Sequence, residues 1–179
     1  LLLETIREFA LEQARVEGEE ERLRHRHYAA YLQLFRTGDS HLRGTEVAIW
    51  VARLAPEQEN LSAGLHWSLA EACYEESMWL LLAASGFWNH HGQAYEAARW
   101  LARLLPHRQL LNADLRLALM IILHAYAVAL EESHSMERYR DELMSLLASS
   151  PYPLLQVAAW VWIGVYAAGL ALTDAGVLG

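Results

Sequence analysis

Nine histidines and 22 carboxylates give this chain the raw material for metal binding or acid–base work, and their spacing decides whether either is open. The closest histidine pairs are His25/His27 and His90/His91. Neither stands in a His-Glu-x-x-His arrangement or beside a cysteine cluster. On a helix, residues one or two apart diverge around the axis, so neither pair offers both rings to one ion. Glu57/Glu59 and Glu131/Glu132 could be imagined as acid and base. Splitting two carboxyl pKa values requires opposed, desolvated surroundings, which the neighbouring residues do not provide, so these pairs read as solvated helix faces. No catalytic, cofactor-binding or metal-ligating residue is assigned, and the expectation is a non-enzyme without a cofactor. A catalytic or metal-binding helical domain using His90, His91 or clustered glutamates is the reading from another class.

The charged residues narrow the chemistry further. All 14 basic residues are arginines, and the net charge is -8. Without a lysine these residues can supply neither the amine of a Schiff base nor the phosphate contact of a Walker A loop. The acidic total opposes a broad nucleic-acid footprint. Arg22, Arg24 and Arg26 with His25 form the one dense basic patch, but Glu17, Glu19, Glu20 and Glu21 lie beside it and favour local pairing. Cys73, the single cysteine, cannot close an intramolecular disulfide, which fits a reducing, cytoplasmic setting.

The elements that position these residues are predicted to be helices throughout. With 54% hydrophobic residues in 179 the chain can bury a core without staples. Thr5 and Glu8 form a capping box ahead of Ile6, Phe9, Ala10 and Gln13, and Gly18 marks a stop. A helix over about 19 to 36 would bury Leu23, His27, Ala30, Tyr31 and Leu34, with Thr37-Gly38-Asp39-Ser40 breaking it. The stretch 45 to 72 keeps helical spacing but is divided by Pro56. Five further helices are predicted near 75–91, 93–105, 112–132, 135–149 and 152–173, punctuated by Gly92, Pro106, Ser133 and Pro151.

A period of about 40 residues organises the later helices. Trp79, Leu82, Ala83 and Gly86 align with Leu119, Ile122, Leu123 and Tyr126, then with Trp160, Ile163, Gly164 and Ala167. This resembles the first-helix pattern of tetratricopeptide repeats. Leu101, Leu104 and Leu105, then Leu143, Leu146 and Leu147, would line the second helices. The fold expectation is all-α, with tetratricopeptide-like antiparallel helix pairs in a right-handed α-solenoid. The third pair lacks its second helix, so residues 154 to 172 are expected to be exposed on one side or covered by another copy.

Three blocks carry a family resemblance: Leu2-Leu3-Glu4-Thr5-Ile6-Arg7-Glu8-Phe9-Ala10-Leu11-Glu12, then Arg24-His25-Arg26-His27-Tyr28-Ala29-Ala30-Tyr31-Leu32, then Trp50 to Leu54 followed by Glu57-Gln58-Glu59-Asn60-Leu61. In order and spacing they resemble the segment after the nucleotide-binding region in large bacterial transcriptional regulators of the STAND ATPase class. Those regulators are often joined to LuxR-type or SARP-type DNA-binding domains. The resemblance implies an upstream ATPase and winged-helix switch, with this chain beginning at the end of the winged-helix module. Its nucleotide-binding motifs and DNA-reading helix have no counterpart here.

The expected organisation is a small helical region over 1–72 followed by repeats over 73–179. The expected function is a regulatory or sensor arm that binds a protein, a peptide or a small effector and mediates assembly, self-association included, without touching nucleic acid or membrane. The alternative is a standalone repeat adaptor. Trp79, Trp88, Tyr95, Trp100, Tyr126, Trp160 and Trp162 are the expected lining of an interaction groove. Leu154 to Leu172 is uncharged and long enough to raise the question of a membrane span. Its central tryptophans and lack of flanking arginine favour a buried repeat helix.

Overall fold

The structure, a computed structural model, describes residues 9–10, 12–129, 139–149 and 151, and these are helical apart from short connections. Helix α1 covers residues 12–16. It is followed by α2 (Glu20–His41), α3 (Val47–Leu54), α4 (Gln58–Ala70), α5 (Tyr74–His91), α6 (Ala94–Leu104), α7 (Ala113–Ala129) and α8 (Arg140–Ser149). Two 3₁₀ turns, Ala55–Glu57 and Leu105–Leu110, each carry a proline near the start. There the missing N–H costs no hydrogen bond.

Local sequence explains most of the ends. Gly18 and Gly92 adopt φ of 70° and 72°, and the Gly92 N–H bonds back to the Trp88 carbonyl. That left-handed conformation is open to glycine and closes a helix by satisfying its last carbonyls. Asn112 caps α7, its side-chain oxygen accepting the Leu115 N–H at 3.0 Å. Between α4 and α5 the same left-handed turn falls on Ala72, at φ 57°, where a Cβ makes it strained.

One hydrophobic core runs from Tyr28 to Leu147. Helix α5 lies at its centre and packs against α2, α3, α4, α6 and α7, while α6 also meets α7 and α7 meets α8. Its buried side chains, among them Met78, Leu80, Leu81, Ala84, Phe87 and Trp88, occupy well over half of its circumference and leave one exposed strip at Trp79. Such a helix must be covered on most of its sides. Leu101, Leu104, Leu143, Leu146 and Leu147 are buried as the sequence predicts. Two buried hydroxyls, Ser68 and Ser77, meet at 2.7 Å and join α4 to α5.

The structure departs from expectation in α2. The helix continues through Thr37-Gly38-Asp39-Ser40 to His41 instead of breaking there. Thr37 and Ser40 turn their hydroxyls onto the carbonyls of Gln33 and Thr37, and Gly38 is buried against α3. A Cβ on Gly38 would come within 2.7 Å of Leu54 Cδ1, so this glycine marks a close crossing and not a stop. The buried face is also turned by about one residue: Tyr28 and Phe35 are buried, whereas Leu23 and Ala30 are exposed. The predicted helix over 152–173 lies outside the described residues, as does Ser133.

Two substitutions test this packing. Ala72→Gly removes the left-handed strain and should stabilise the fold by about 1 kcal/mol, offset in part by greater freedom of the unfolded chain. Gly38→Val should destabilise it by roughly 1–3 kcal/mol through overpacking against Leu54. Urea midpoints of the two variants read both effects, and a Gly38→Val midpoint at or above that of the parent would contradict the close crossing.

Candidate interaction site

The structure draws attention to a recurrence at a step of 50 residues that the 40-residue period conceals. Ala48, Trp50, Ala52, Arg53, Leu54 and Pro56 recur as Ala98, Trp100, Ala102, Arg103, Leu104 and Pro106; Leu61, Ala63, Leu65 and Leu69 recur as Leu111, Ala113, Leu115 and Leu119. The first set ends α3 and the second ends α6, and each runs through a 3₁₀ turn into the next helix. In both, the arginine three residues after the tryptophan lies over its ring, Arg53 at 4.6 Å and Arg103 at 4.8 Å. Each indole also packs against a histidine, His41 stacked on Trp50 and His66 edge-on to Trp100. Identical residues therefore build the Arg–Trp contact twice, while the histidines come from non-equivalent positions and meet the two rings at different angles. The signal was present in the sequence as a matching Trp-x-Ala-Arg-Leu-x-Pro.

Each copy also links its 3₁₀ turn or following helix to the start of a later helix. In the first, Gln58 at the start of α4 donates its amide to Gln93 Oε1 beside α6, at 2.6 Å. In the second, Arg108 donates to Glu142 Oε2 on α8 at 2.8 Å, joined by Gln109 on Glu142 Oε1 at 2.9 Å. The first link is neutral and the second ionic.

A cavity of about 440 Å3 opens at the neutral link, between α4, the α5–α6 turn and α6. Leu61 and Trp88 form its inner wall, while Gln58, Ser62, Gln93, Tyr95, Glu96 and Arg99 surround them. Glu96 accepts from Arg99 at 3.1 Å, so the charged rim is balanced. Gly92 lines the cavity without a side chain.

The expected groove residues do not share one surface. Trp88 and Tyr95 line the cavity; Trp88 is buried and Tyr95 is 69% exposed. Trp79 lies nine residues before Trp88, half a turn around α5, and is 42% exposed under Arg36 at 5.1 Å. Trp100 is buried in the core, with an indole N–H that has no hydrogen-bond partner. Tyr126 is buried and donates its hydroxyl to the Ser85 carbonyl at 3.2 Å. Trp160 and Trp162 lie outside the described residues. Aromatic content alone could not tell the core rings from the surface ones.

A second cavity of about 270 Å3 lies between α1, α2 and α4, lined in part by Leu23, Arg24, His27, Asn60 and Trp67. Asn60 donates to Glu57 at 2.8 Å and its oxygen faces His27 Nε2 at 3.5 Å. The partners of Asn60 are thus side chains and not backbone.

Several of the remaining titratable groups have structural neighbours. His25 packs edge-on against Trp67, His27 against Tyr31 and His91 over Phe87. Arg22 pairs with Glu19, and Arg24 with Glu20 at 2.6 Å. Arg15 and Arg24 hold the Glu20 carboxyl below its ordinary value. Burial, with Glu76, Glu71 and Glu21 nearby, pushes the Cys73 thiol up, which disfavours the thiolate a nucleophile needs. Among the described residues no three or more His, Cys, Asp or Glu side chains form a group that could hold a metal ion. Among them, too, no helix is long and apolar enough to cross a membrane. Glu131, Glu132 and the stretch 154–172 lie outside those residues.

Burial pushes the phenol of Tyr126 up to about 12, and burial with Glu76 does the same for Tyr28, whose hydroxyl donates to the Glu76 carbonyl at 3.1 Å. Unfolded phenols ionise near 10, so between pH 10 and 12 the folded chain holds more protons and its stability falls as pH rises. Tyr126→Phe should cost about 1 kcal/mol at neutral pH and flatten that alkaline decline. Denaturant unfolding at pH 7, 10 and 11 measures both, and an unchanged slope would contradict the assignment. Comparison with known proteins adds no identity: no protein-family model, no curated protein and no solved structure matches the chain.

Proposed function

We propose that this chain is a non-catalytic helical-repeat scaffold, the regulatory or sensor arm of a bacterial transcriptional regulator of the STAND ATPase class. The observation that carries the scaffold reading is the 50-residue recurrence of Trp50, Arg53, Leu54 and Pro56 as Trp100, Arg103, Leu104 and Pro106, with the arginine over the indole in both copies. A unit used twice, each copy resting on the next through a shared core, is the construction of a repeat protein. The tetratricopeptide-like part of the proposal, α5 paired with α6 and α7 with α8 in a right-handed solenoid, rests instead on the 40-residue period, since the 50-residue recurrence sets α7 against α4 and not against α5.

Two further features support a binding role over chemistry. Several groups with chemical potential already have structural neighbours: Glu142 between Arg108 and Gln109, Glu20 between Arg15 and Arg24, Ser68 on Ser77. The three blocks resembling the STAND regulators supply the regulatory half of the proposal. The partner is a protein, a peptide or a small effector, met in the cytoplasm. It would act on the upstream switch only through a difference in affinity between the states of that switch.

The encoding gene tests the regulatory half. It should carry a Gly-x-x-x-x-Gly-Lys-[Ser/Thr] loop upstream of Leu1. In the full-length protein, removal of residues 74–149 should abolish the effector's influence on nucleotide hydrolysis, a coupling of about 5- to 150-fold. A gene without that loop would refute the regulator and leave a standalone adaptor.

A further inference from the structure

The two copies of the 50-residue unit differ where they meet the following helix. In the second, Arg108 and Gln109 are tied to Glu142, and Asn112 donates to Glu75 at 2.8 Å while capping α7. In the first, the equivalents of Arg108 and Asn112 are Gln58 and Ser62, and Gln58 meets only Gln93. The cavity of about 440 Å3 opens there, within the range of small-ligand sites.

Two amides joined by a single hydrogen bond keep hydrogen-bonding capacity at their far ends. Whichever glutamine donates, the pair retains one carbonyl oxygen as acceptor and one NH2 as donor. A peptide group presents the complementary donor and acceptor. Beside the pair stands the Tyr95 ring, 69% exposed, an apolar face at the mouth of a half-polar recess. The rim charges of Glu96 and Arg99 cancel, so nothing selects for a strongly charged ligand.

We infer that this recess binds an extended peptide segment, reading a backbone amide with Gln58 and Gln93 and laying an adjacent apolar side chain against Tyr95. The inference rests on the scaffold reading and gives it a location. It distinguishes the recess from the opposite face of α5, where Trp79 lies under Arg36.

The test is selection of a displayed random-peptide library on the purified chain, followed by titration of synthetic versions of the enriched peptides. The titrations use the parent chain, Gln58→Ala, Gln93→Ala, Tyr95→Ala and Trp79→Ala, each checked for an unchanged thermal midpoint. Gln93 makes no cap on α6, so its truncation leaves the helix start intact. The expected result is enriched peptides whose affinity falls about tenfold with either glutamine variant and with Tyr95→Ala, but not with Trp79→Ala. Failure of any peptide to enrich overturns the inference. Peptides that bind the glutamine variants as well as the parent also overturn it, while leaving a binding scaffold in place. Weakening by Trp79→Ala alone moves the site to the other face of α5 and refutes the recess.

Discussion

The structure depends on a helix that five others cover on most of its sides. Helix α5 buries Met78, Leu80, Leu81, Ala83, Ala84, Phe87 and Trp88, and a helix of that composition is stable only when other helices surround it. Its neighbours meet this need from both directions along the chain, α2 and α4 before it and α6 and α7 after it. Small residues set how closely they approach. A Cβ on Gly86 would lie 2.5 Å from Asp39 Oδ1, and one on Gly64 would lie 3.1 Å from Leu80 Cδ2. The single shared core follows from the burial of this one helix.

Some polar groups within the core are matched to one another. The Ser68 and Ser77 hydroxyls satisfy each other and nearby carbonyls, so α4 and α5 meet without an orphaned hydroxyl. Arginine serves as both charge and flat apolar surface: Arg36, Arg53, Arg103 and Arg108 lie over Trp79, Trp50, Trp100 and Tyr139. A lysine could not offer a planar group to these rings, which gives the all-arginine composition a structural use.

Much of the fold was legible because its signals are local. Pro56 and Pro106 mark turns, Gly18 and Gly92 mark helix ends, and the leucines of α6 and α8 fall on the buried face. What was illegible depends on distant contacts. Thr37 to Ser40 has the composition of a loop, yet α3 packs on Gly38 and the helix continues. The tryptophans were legible as important but not as buried or exposed, since Trp79 and Trp88 share a helix and differ only by half a turn. The recess was invisible because its glutamines are 35 residues apart and neither belongs to a motif.

Tyr28 reaches the first turn of α5 from one neighbour and Tyr126 reaches its last half from the other, each by a hydroxyl on a main-chain carbonyl. The acceptors are main-chain atoms, which cannot swing to a new rotamer as side-chain atoms can, so both ties depend on the helix backbone and not on its side chains. The central helix is thus moored by its own main chain on two sides, to α2 near its start and to α7 in its second half.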